Sequence, residues 1–141
     1  MLADMVLLLL FFFSAASLAS YAGLVIHRTR AELPLLTPRS RCDLCHAPLP
    51  FPALVPVLGV VLTGFRCRRC RGRVPLSWPL LELAAGLAAA LPLLLGAAPP
   101  VVIRRWLPAF FAGTIAWCDI STGQVPPALS LPGAAAALLL A

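Results

Sequence analysis

The chain has 141 residues, of which 61% are hydrophobic and 11% are charged, and its mean hydropathy is +0.96. About a quarter of the residues of a soluble domain would be charged, so the composition excludes that class and indicates an integral membrane protein. All eleven basic residues are arginine, and nine lie between Arg28 and Arg73. Such a basic loop can serve nucleic acid, anionic lipid or membrane topology. Beside membrane spans, topology is the simplest explanation.

The first element is an uncharged run from Met5 to Ile26. It is long enough to cross a hydrocarbon core of roughly 30 Å as a helix. A secretory signal peptide is the alternative, but no basic residue precedes the run, and the run exceeds a typical signal core. Arg28 and Arg30 follow at once, as basic residues do at the cytoplasmic end of a span. We therefore predict a retained transmembrane helix within residues 1–27, with its N-terminus outside.

Residues 28–78 form a basic loop with four cysteines, arranged as two Cys-x-x-Cys pairs on either side of residues 46–66. The short gap within each pair lets both of its sulfurs face one ion, and a second pair completes a tetrahedron. This is the pattern of a four-thiolate zinc site, although two disulfides or four unconnected thiols are alternatives. The predicted ligands are Cys42, Cys45, Cys67 and Cys70. The arginines around the second pair would hold the loop in the cytoplasm and offset the negative charge of the site.

An apolar, proline-rich run from Phe51 to Leu62 lies between the two cysteine pairs. It is too short to span a bilayer, so we expect it to lie at the membrane surface or to cover the metal site. The second predicted span follows at Pro79–Ala98, with Glu82 one turn inside its start. Glu82 and Gly86 are spaced one turn apart and share one helix face. An acid inside a membrane helix is costly, so Glu82 is either functional or sits at the interface, paired with a loop arginine and favouring a helix N-terminus.

The third predicted span runs from about Val101 to Cys118, and Arg104 and Arg105 reach outward from it to the interface. The cysteine-rich side carries nine basic residues against these two. The positive-inside rule therefore places the four-cysteine loop in the cytoplasm. That compartment is reducing, which favours thiolate ligands over disulfides.

Asp119 is the only charged residue between Trp106 and Ala141. It follows the third span, where the chain returns to the cytoplasmic face, and it is either a helix end or an acid/base group whose pKa partial desolvation can adjust. Its neighbour Cys118 is expected to be a packed core thiol. Residues 128–141 would reach only about 21 Å as a helix. They predict a partial fourth span and a truncated or degenerate product.

The predicted fold class is an all-α integral membrane protein. It has three transmembrane helices plus a partial fourth, with a cytoplasmic zinc-ribbon-like four-cysteine loop between helices one and two. Residues 79–141 hold helices two to four.

Five stretches of the chain stand out as motifs. The first two are L-A-S-Y-A-G-L-V-I-H-R at Leu18–Arg28 and S-R-C-D-L-C-H-A-P-L-P at Ser40–Pro50. Then come L-V-P-V-L-G at Leu54–Gly59, F-R-C-R-R-C-R-G-R-V-P-L-S-W-P-L-L-E-L-A-A-G at Phe65–Gly86 and D-I-S-T-G-Q-V-P at Asp119–Pro126. In this order they resemble motifs of the bacterial prepilin peptidases, the leader peptidase/N-methyltransferases of type IV pilus and type II secretion systems. The corresponding family motifs are the first helix, the first cysteine pair, a short segment after it, the second cysteine pair with the Glu–Gly helix, and the first catalytic aspartate segment.

The resemblance implies an intramembrane aspartic endopeptidase of the bacterial inner membrane. Two carboxylates would activate one water against the peptide bond that ends the leader of a prepilin or pseudopilin, and Asp119 matches the first of them. It further implies methylation of the new N-terminus by S-adenosylmethionine. Glu82 and Gly86 are the candidates for binding that cofactor by motif position, and the start of the aspartic peptidase region falls in residues 79–141.

This sequence departs from the family pattern at specific positions. No acid follows Asp119, whereas the family has its second aspartate in a later G-x-G-D motif; Pro127 replaces an expected acid and Gly23 an expected asparagine. We therefore predict that the chain alone does not cleave prepilins. A second chain is one source of the missing half of the family pattern, which contains the second aspartate. The alternative function is a non-enzymatic membrane zinc module that scaffolds pilus or secretion components. Nucleic acid is not an expected partner, because Phe65 and Trp78 offer few aromatic rings for base stacking.

Overall fold

The computed structural model describes residues 2–35 and 40–140. The segments predicted from the sequence at residues 1–27, 28–78 and 79–141 also include Met1, residues 36–39 and Ala141, which lie outside the described residues. Five α-helices are present in the described part: α1 at Leu2–Arg30, α2 at Leu58–Leu62, α3 at Ser77–Leu94, α4 at Pro99–Thr122 and α5 at Pro127–Leu140, with a 3-10 turn at Phe51–Leu54. No strand occurs among these residues, so the prediction of an all-helical fold is confirmed for them.

Two of the described helices, α1 and α3, are long and apolar enough to cross a membrane, with hydropathies of 2.2 and 1.5. Few of their residues are buried within the chain, as expected for helices that face lipid. The predicted third span corresponds to α4, which carries Arg104, Arg105 and Asp119 and does not reach the same apolarity. The apolar helix α5 is shorter, at Pro127–Leu140. The third span and the partial fourth therefore stay predictions.

Small side chains let α1 and α3 pack closely. The buried residues of these two helices include Ala15, Ala16, Ala19 and Ala22 of α1 and Gly86, Ala89 and Ala90 of α3. A Cβ placed on Gly86 would lie 2.6 Å from Cε2 of Phe12, so the glycine makes room for that ring. Gly23 of α1 similarly lies directly against the indole of Trp78. Small residues at such positions allow the van der Waals contact that holds membrane helices together.

α4 and α5 form a hairpin that packs on the C-terminal half of α1. Gly123 ends α4 in the left-handed conformation, at φ 67°, and its N–H donates to the Asp119 carbonyl at 2.7 Å. This is a common way for a helix to end. The hairpin contributes the fully buried Cys118 and Leu129 to a core that they share with Ala22 and Val25. Cys118 is therefore a packed thiol, as expected.

The second long helix ends earlier than predicted. α3 stops at Leu94 rather than Ala98, and Gly96 follows in a turn with φ 87°. Glycine adopts this conformation without the steric cost that a Cβ would add. α1, in contrast, extends beyond both predicted ends because nothing in Leu2–Arg30 interrupts a helix.

Candidate metal centre and neighbouring site residues

The two cysteine pairs fold into knuckles with the same hydrogen bonds. In the first, the Cys42 N–H donates to the Ala47 carbonyl and the His46 N–H to the Cys42 carbonyl, both at 2.9 Å. In the second, the Cys67 N–H donates to the Gly72 carbonyl and the Arg71 N–H to the Cys67 carbonyl, again at 2.9 Å. Each knuckle closes with one antiparallel bridge, Arg41 to Pro48 and Arg66 to Arg73. The described residues form only these isolated bridges and no strand. The predicted zinc-ribbon-like loop is therefore present only as two knuckles that face each other.

The knuckles are two copies of one sequence pattern. Arg41–Pro50 and Arg66–Pro75 both read Arg-Cys-x-x-Cys-x-small-x-aliphatic-Pro. His46 and Arg71, which follow the second cysteine of each copy, both have positive φ, at 53° and 60°. Sequence reasoning used the cysteine spacing and missed the repeat, although the flanking arginines and prolines signal it. The repeat explains why both knuckles present their sulfurs in the same way.

The four sulfurs converge on one point. The Sγ atoms of Cys42, Cys45, Cys67 and Cys70 all lie within 4.8 Å of one another. Cys42 and Cys70 are 3.8 Å apart, and Cys45 and Cys67 are 3.9 Å apart. A tetrahedral zinc ion with Zn–S bonds of about 2.3 Å requires sulfur–sulfur edges of roughly 3.8 Å. The four sulfurs are therefore spaced to coordinate one zinc ion as thiolates. All four cysteines, and Cys118, are free rather than disulfide-bonded.

Close packing of the two knuckles depends on Gly72. The side chain of Leu44, from the first knuckle, lies directly on this glycine, and a Cβ there would also come within 3.2 Å of the Cys70 sulfur. Cys67 is the most enclosed ligand, with 9% of its surface exposed, whereas Cys70 is exposed. The site is therefore closed from one side by the protein and borders solvent on the other.

The thiols of the cluster ionise unequally. Hydrogen bonds from the backbone N–H groups of Cys70 and Arg69 lower the pKa of the Cys67 thiol to about 6. For Cys70, a backbone hydrogen bond from Gly72 lowers the pKa, but desolvation and the neighbouring sulfurs outweigh it and raise the pKa to about 11. One thiolate thus forms readily, while further negative charge in the cluster is opposed. A bound cation removes that opposition, because it compensates the charge that the sulfurs would otherwise place on each other.

The structure gives Glu82 and Gly86 protein partners. Glu82 Oε2 accepts a hydrogen bond of 2.7 Å from the backbone N–H of Val57, at the start of α2. The carboxylate thus holds a loop segment through its backbone, and not through the loop arginine considered from the sequence. Gly86, one turn further along α3, is buried against Phe12. Sequence reasoning placed both residues on one face of α3 and had no means of identifying these partners.

Asp119 lies on the exposed surface of the last two turns of α4. Its neighbours Trp117 and Ile120 are also exposed. Among the described residues, no side chain donates a hydrogen bond to its carboxylate. Asp119 therefore lies near the C-terminal end of α4, and the structure brings no other acid of the described part of the chain into contact with it. This position agrees with a role at a helix end, while an acid/base role stays a prediction.

Arg28 was interpreted from the sequence only as a marker of topology, yet it is buried, with 8% of its surface exposed. Its Nη1 donates to the carbonyls of Leu35 at 2.6 Å and Pro34 at 3.3 Å. It lines two adjoining cavities, of about 490 and 470 Å³, beside the turn from α4 to α5. Neither cavity is lined by Glu82 or Gly86.

A comparison with protein families identifies the part of the chain that contains the two knuckles and the helices beside them. A model described as "Bacterial Peptidase A24 N-terminal domain" matches residues 13–95, which include most of the first helix, both knuckles and α3. The chain belongs to this family. Within it, the chain is similar to curated proteins named prepilin leader peptidase/N-methyltransferase, so the resemblance inferred from the sequence motifs is confirmed.

The curated relatives are longer than the chain itself. One relative, from Burkholderia pseudomallei strain 1026b, is 37% identical over 103 residues, covering 72% of this chain and 33% of the relative. Another, from Myxococcus xanthus strain DK1622, is 34% identical over 68 residues, covering 48% and 20%. The chain thus matches at most about a third of the length of these relatives. No solved structure matches it.

Proposed function

We propose that this chain forms the N-terminal part of a prepilin leader peptidase/N-methyltransferase in the bacterial inner membrane, with the two knuckles in the cytoplasm. The observation that carries the proposal is the convergence of four cysteine sulfurs within 4.8 Å, in a segment that lies between two apolar helices and matches the family. The substrates are prepilins or pseudopilins.

The metal is zinc, in a structural role. Four thiolates fill a tetrahedral ion and leave no position for water or substrate, which is the property of structural rather than catalytic sites. The ion fixes the first knuckle against the second and makes the loop between α1 and α3 a defined unit. Exposed arginines of the second knuckle offset part of the negative charge of four thiolates.

Methyl transfer is proposed from the name of the curated relatives, and S-adenosylmethionine is the methyl donor that this name suggests. Glu82 and Gly86 stay the proposed residues for binding this molecule, and both already contact other parts of the chain. One carboxylate oxygen of Glu82 accepts a hydrogen bond from Val57, the ring of Phe12 lies on Gly86, and the two cavities beside Arg28 are lined by other residues. These contacts support a structural role as well: Glu82 positions the loop that faces the cytoplasm, and Gly86 allows α1 and α3 to approach.

Leader cleavage is proposed to use Asp119 as one of two carboxylates. An aspartic mechanism needs one carboxylate to accept a proton from the attacking water and a second to donate one to the leaving amine. Asp119 is exposed on α4 and can reach a partner presented by another helix or another chain. The protonation role of each carboxylate depends on that partner.

Reconstitution in membranes tests these assignments together. The full chain, with a processed pilin and labelled S-adenosylmethionine, is compared with Cys67→Ser and Asp119→Asn variants of matched helicity. We expect methyl transfer that Cys67→Ser abolishes and Asp119→Asn leaves unchanged. A second reaction, with an unprocessed prepilin, is expected to give no leader release from the chain alone. Release that Asp119→Asn abolishes would overturn the prediction that the chain alone does not cleave prepilins.

A scaffolding module is the second candidate function. The closed metal site favours it over an enzyme, as does the engagement of Glu82 and Gly86 by other parts of the chain. Absence of methyl transfer, together with zinc-dependent capture of a pilus or secretion component by the reconstituted chain, would decide in favour of the scaffold.

A further inference from the structure

The segment between the knuckles exposes several large apolar side chains. Phe51 is 75% exposed and Leu62 is 63% exposed. Leu54, Leu58 and Val61 are exposed as well. In water, such exposed apolar area is unfavourable, since burying it is worth about 25 cal/mol per Å². We call Phe51–Leu62 the apolar segment.

The hydrogen bond from Val57 to Glu82 fixes the depth of the apolar segment. Glu82 is the sixth residue of α3, so it lies about 7.5 Å along the helix axis from Ser77. Trp78, in the first turn, is of the type that concentrates at the membrane–water interface. Val57 is therefore held against the first two turns of an apolar helix, within about one turn of the interfacial tryptophan. If α3 crosses a bilayer, the apolar segment lies at the boundary between headgroups and acyl chains.

The backbone of the segment is suited to a region with little water. Pro52 and Pro56 have no N–H group, and the N–H groups of Ala53 and Gly59 donate to the carbonyls of Pro50 and Val55, at 2.9 and 2.7 Å. The N–H of Val57 goes to Glu82. Unsatisfied backbone groups cost several kcal/mol in hydrocarbon, so these bonds remove a main obstacle to insertion. Val57 keeps its contact although a φ of 63° is strained for a β-branched residue.

The charges around the apolar segment complement an anionic lipid surface. The stretch from Ser40 to Pro75 contains six arginines and a single acid, Asp43. The arginines of the second knuckle are all exposed, and they closely follow the apolar segment in the chain. Arginine beside an inserted apolar surface is the usual composition of a segment that binds anionic lipid.

We propose that the apolar segment inserts into the acyl boundary of the anionic leaflet beside α3, that the arginines of the second knuckle contact lipid headgroups, and that Glu82 holds the segment at this depth. The proposal rests on α1 and α3 crossing the bilayer, and not on either catalytic activity. It places the metal centre directly at the membrane surface.

Photo-crosslinking tests the insertion. The full chain is placed in lipid nanodiscs that contain phosphatidylglycerol, with p-benzoylphenylalanine in place of Leu62, and in place of Asp43 as the matched control. Because benzophenone reacts with nearby C–H bonds, the Leu62 position is expected to give phospholipid adducts at a yield at least about tenfold above the Asp43 position. Equal yields, or crosslinks from Leu62 to a second copy of the chain, would overturn the proposal.

Two further measurements separate the contributions. Replacing phosphatidylglycerol by phosphatidylcholine is expected to lower the adduct yield at Leu62 by about twofold or more. An unchanged yield would overturn the assignment of the arginines to headgroups. Glu82→Ala removes the acceptor for Val57 and is expected to lower the yield, whereas Glu82→Gln retains an acceptor oxygen and should preserve it. Equal yields from both Glu82 variants would overturn the positioning role. Circular dichroism confirms equal helicity of all variants.

Discussion

The candidate metal centre contains all four of its expected ligands, whereas Asp119 has no second carboxylate beside it among the described residues. Within Arg41–Arg73 the chain provides four ligands, the backbone hydrogen bonds that orient them and the glycine that lets the knuckles meet. Around Asp119, α4 provides a helix end and an exposed carboxylate, without a second acid in contact among the described residues. A site made of adjacent sequence can be complete within a short stretch. A site made of residues from distant helices depends on every helix that contributes to it.

The largest expected effect is loss of the metal. Cys67→Ser removes the most enclosed ligand and is expected to lower zinc from about one ion per chain to nearly none. The loop should lose hydrogen-exchange protection at residues 40–75, measured by mass spectrometry. Cys118→Ala is the matched control, because that thiol lies in the helical core and should leave zinc content unchanged. Zinc retained at full occupancy by Cys67→Ser would show that the sulfurs do not hold the ion as a set.

The next effect concerns the helices that support the metal centre. Gly86→Ala places a Cβ against Phe12 and is expected to destabilise the α1–α3 pair by about 1–3 kcal/mol. Gly113→Ala is the control, since a Cβ there would meet no described atom within 4 Å apart from the neighbouring backbone of its own helix. Improved helix propensity should stabilise this variant by up to about 1 kcal/mol. Denaturant unfolding in detergent micelles measures both. Equal stabilities would mean that Phe12 moves aside at little cost.

Proton release should accompany metal uptake. The Cys67 thiol, with a pKa of about 6, is largely ionised at neutral pH, whereas the Cys70 thiol, with a pKa of about 11, is protonated. Because zinc binds thiolates, at least one proton leaves on binding, and apparent affinity should rise about tenfold or more for each pH unit around neutrality. Affinity should fall more steeply once the pH drops below the pKa of Cys67, where that thiol also takes up a proton. Competition titration against a chromophoric chelator measures this dependence, and a flat profile would contradict the assigned ionisation states.

The smallest effect is expected at the other region. Asp119→Asn should change the free energy of unfolding by less than about 0.5 kcal/mol, because the carboxylate is exposed and bonded to no described side chain. Zinc content should also be unchanged. Denaturant unfolding and metal analysis of the variant check both expectations. A loss of several kcal/mol would reveal a structural partner for Asp119 and would weaken its assignment to chemistry.

The sequence was most informative where neighbouring residues determine the structure. The cysteine spacing predicted that four sulfurs meet, and long apolar runs predicted α1 and α3 with small errors at their ends. The contacts of Glu82 and Gly86 could not be predicted in the same way, because both partners are distant in the sequence. Val57 precedes the second knuckle, whereas Glu82 follows it, and Phe12 belongs to α1. Helical spacing fixes only the face on which these two residues lie. The exposure of Asp119 likewise depends on which helices pack against α4.

A bound metal would also shorten the connection between two helices. Without it, the whole stretch 31–76 joins the end of α1 to the start of α3. Once one ion binds Cys42 and Cys70, only residues 31–41 and 71–76 separate these ligands from the two helices. By the logarithmic dependence of loop-closure entropy on length, bringing the helices together then costs about 1 kcal/mol less. Zinc supply in the cell is therefore expected to influence how readily the first two membrane helices find each other after synthesis.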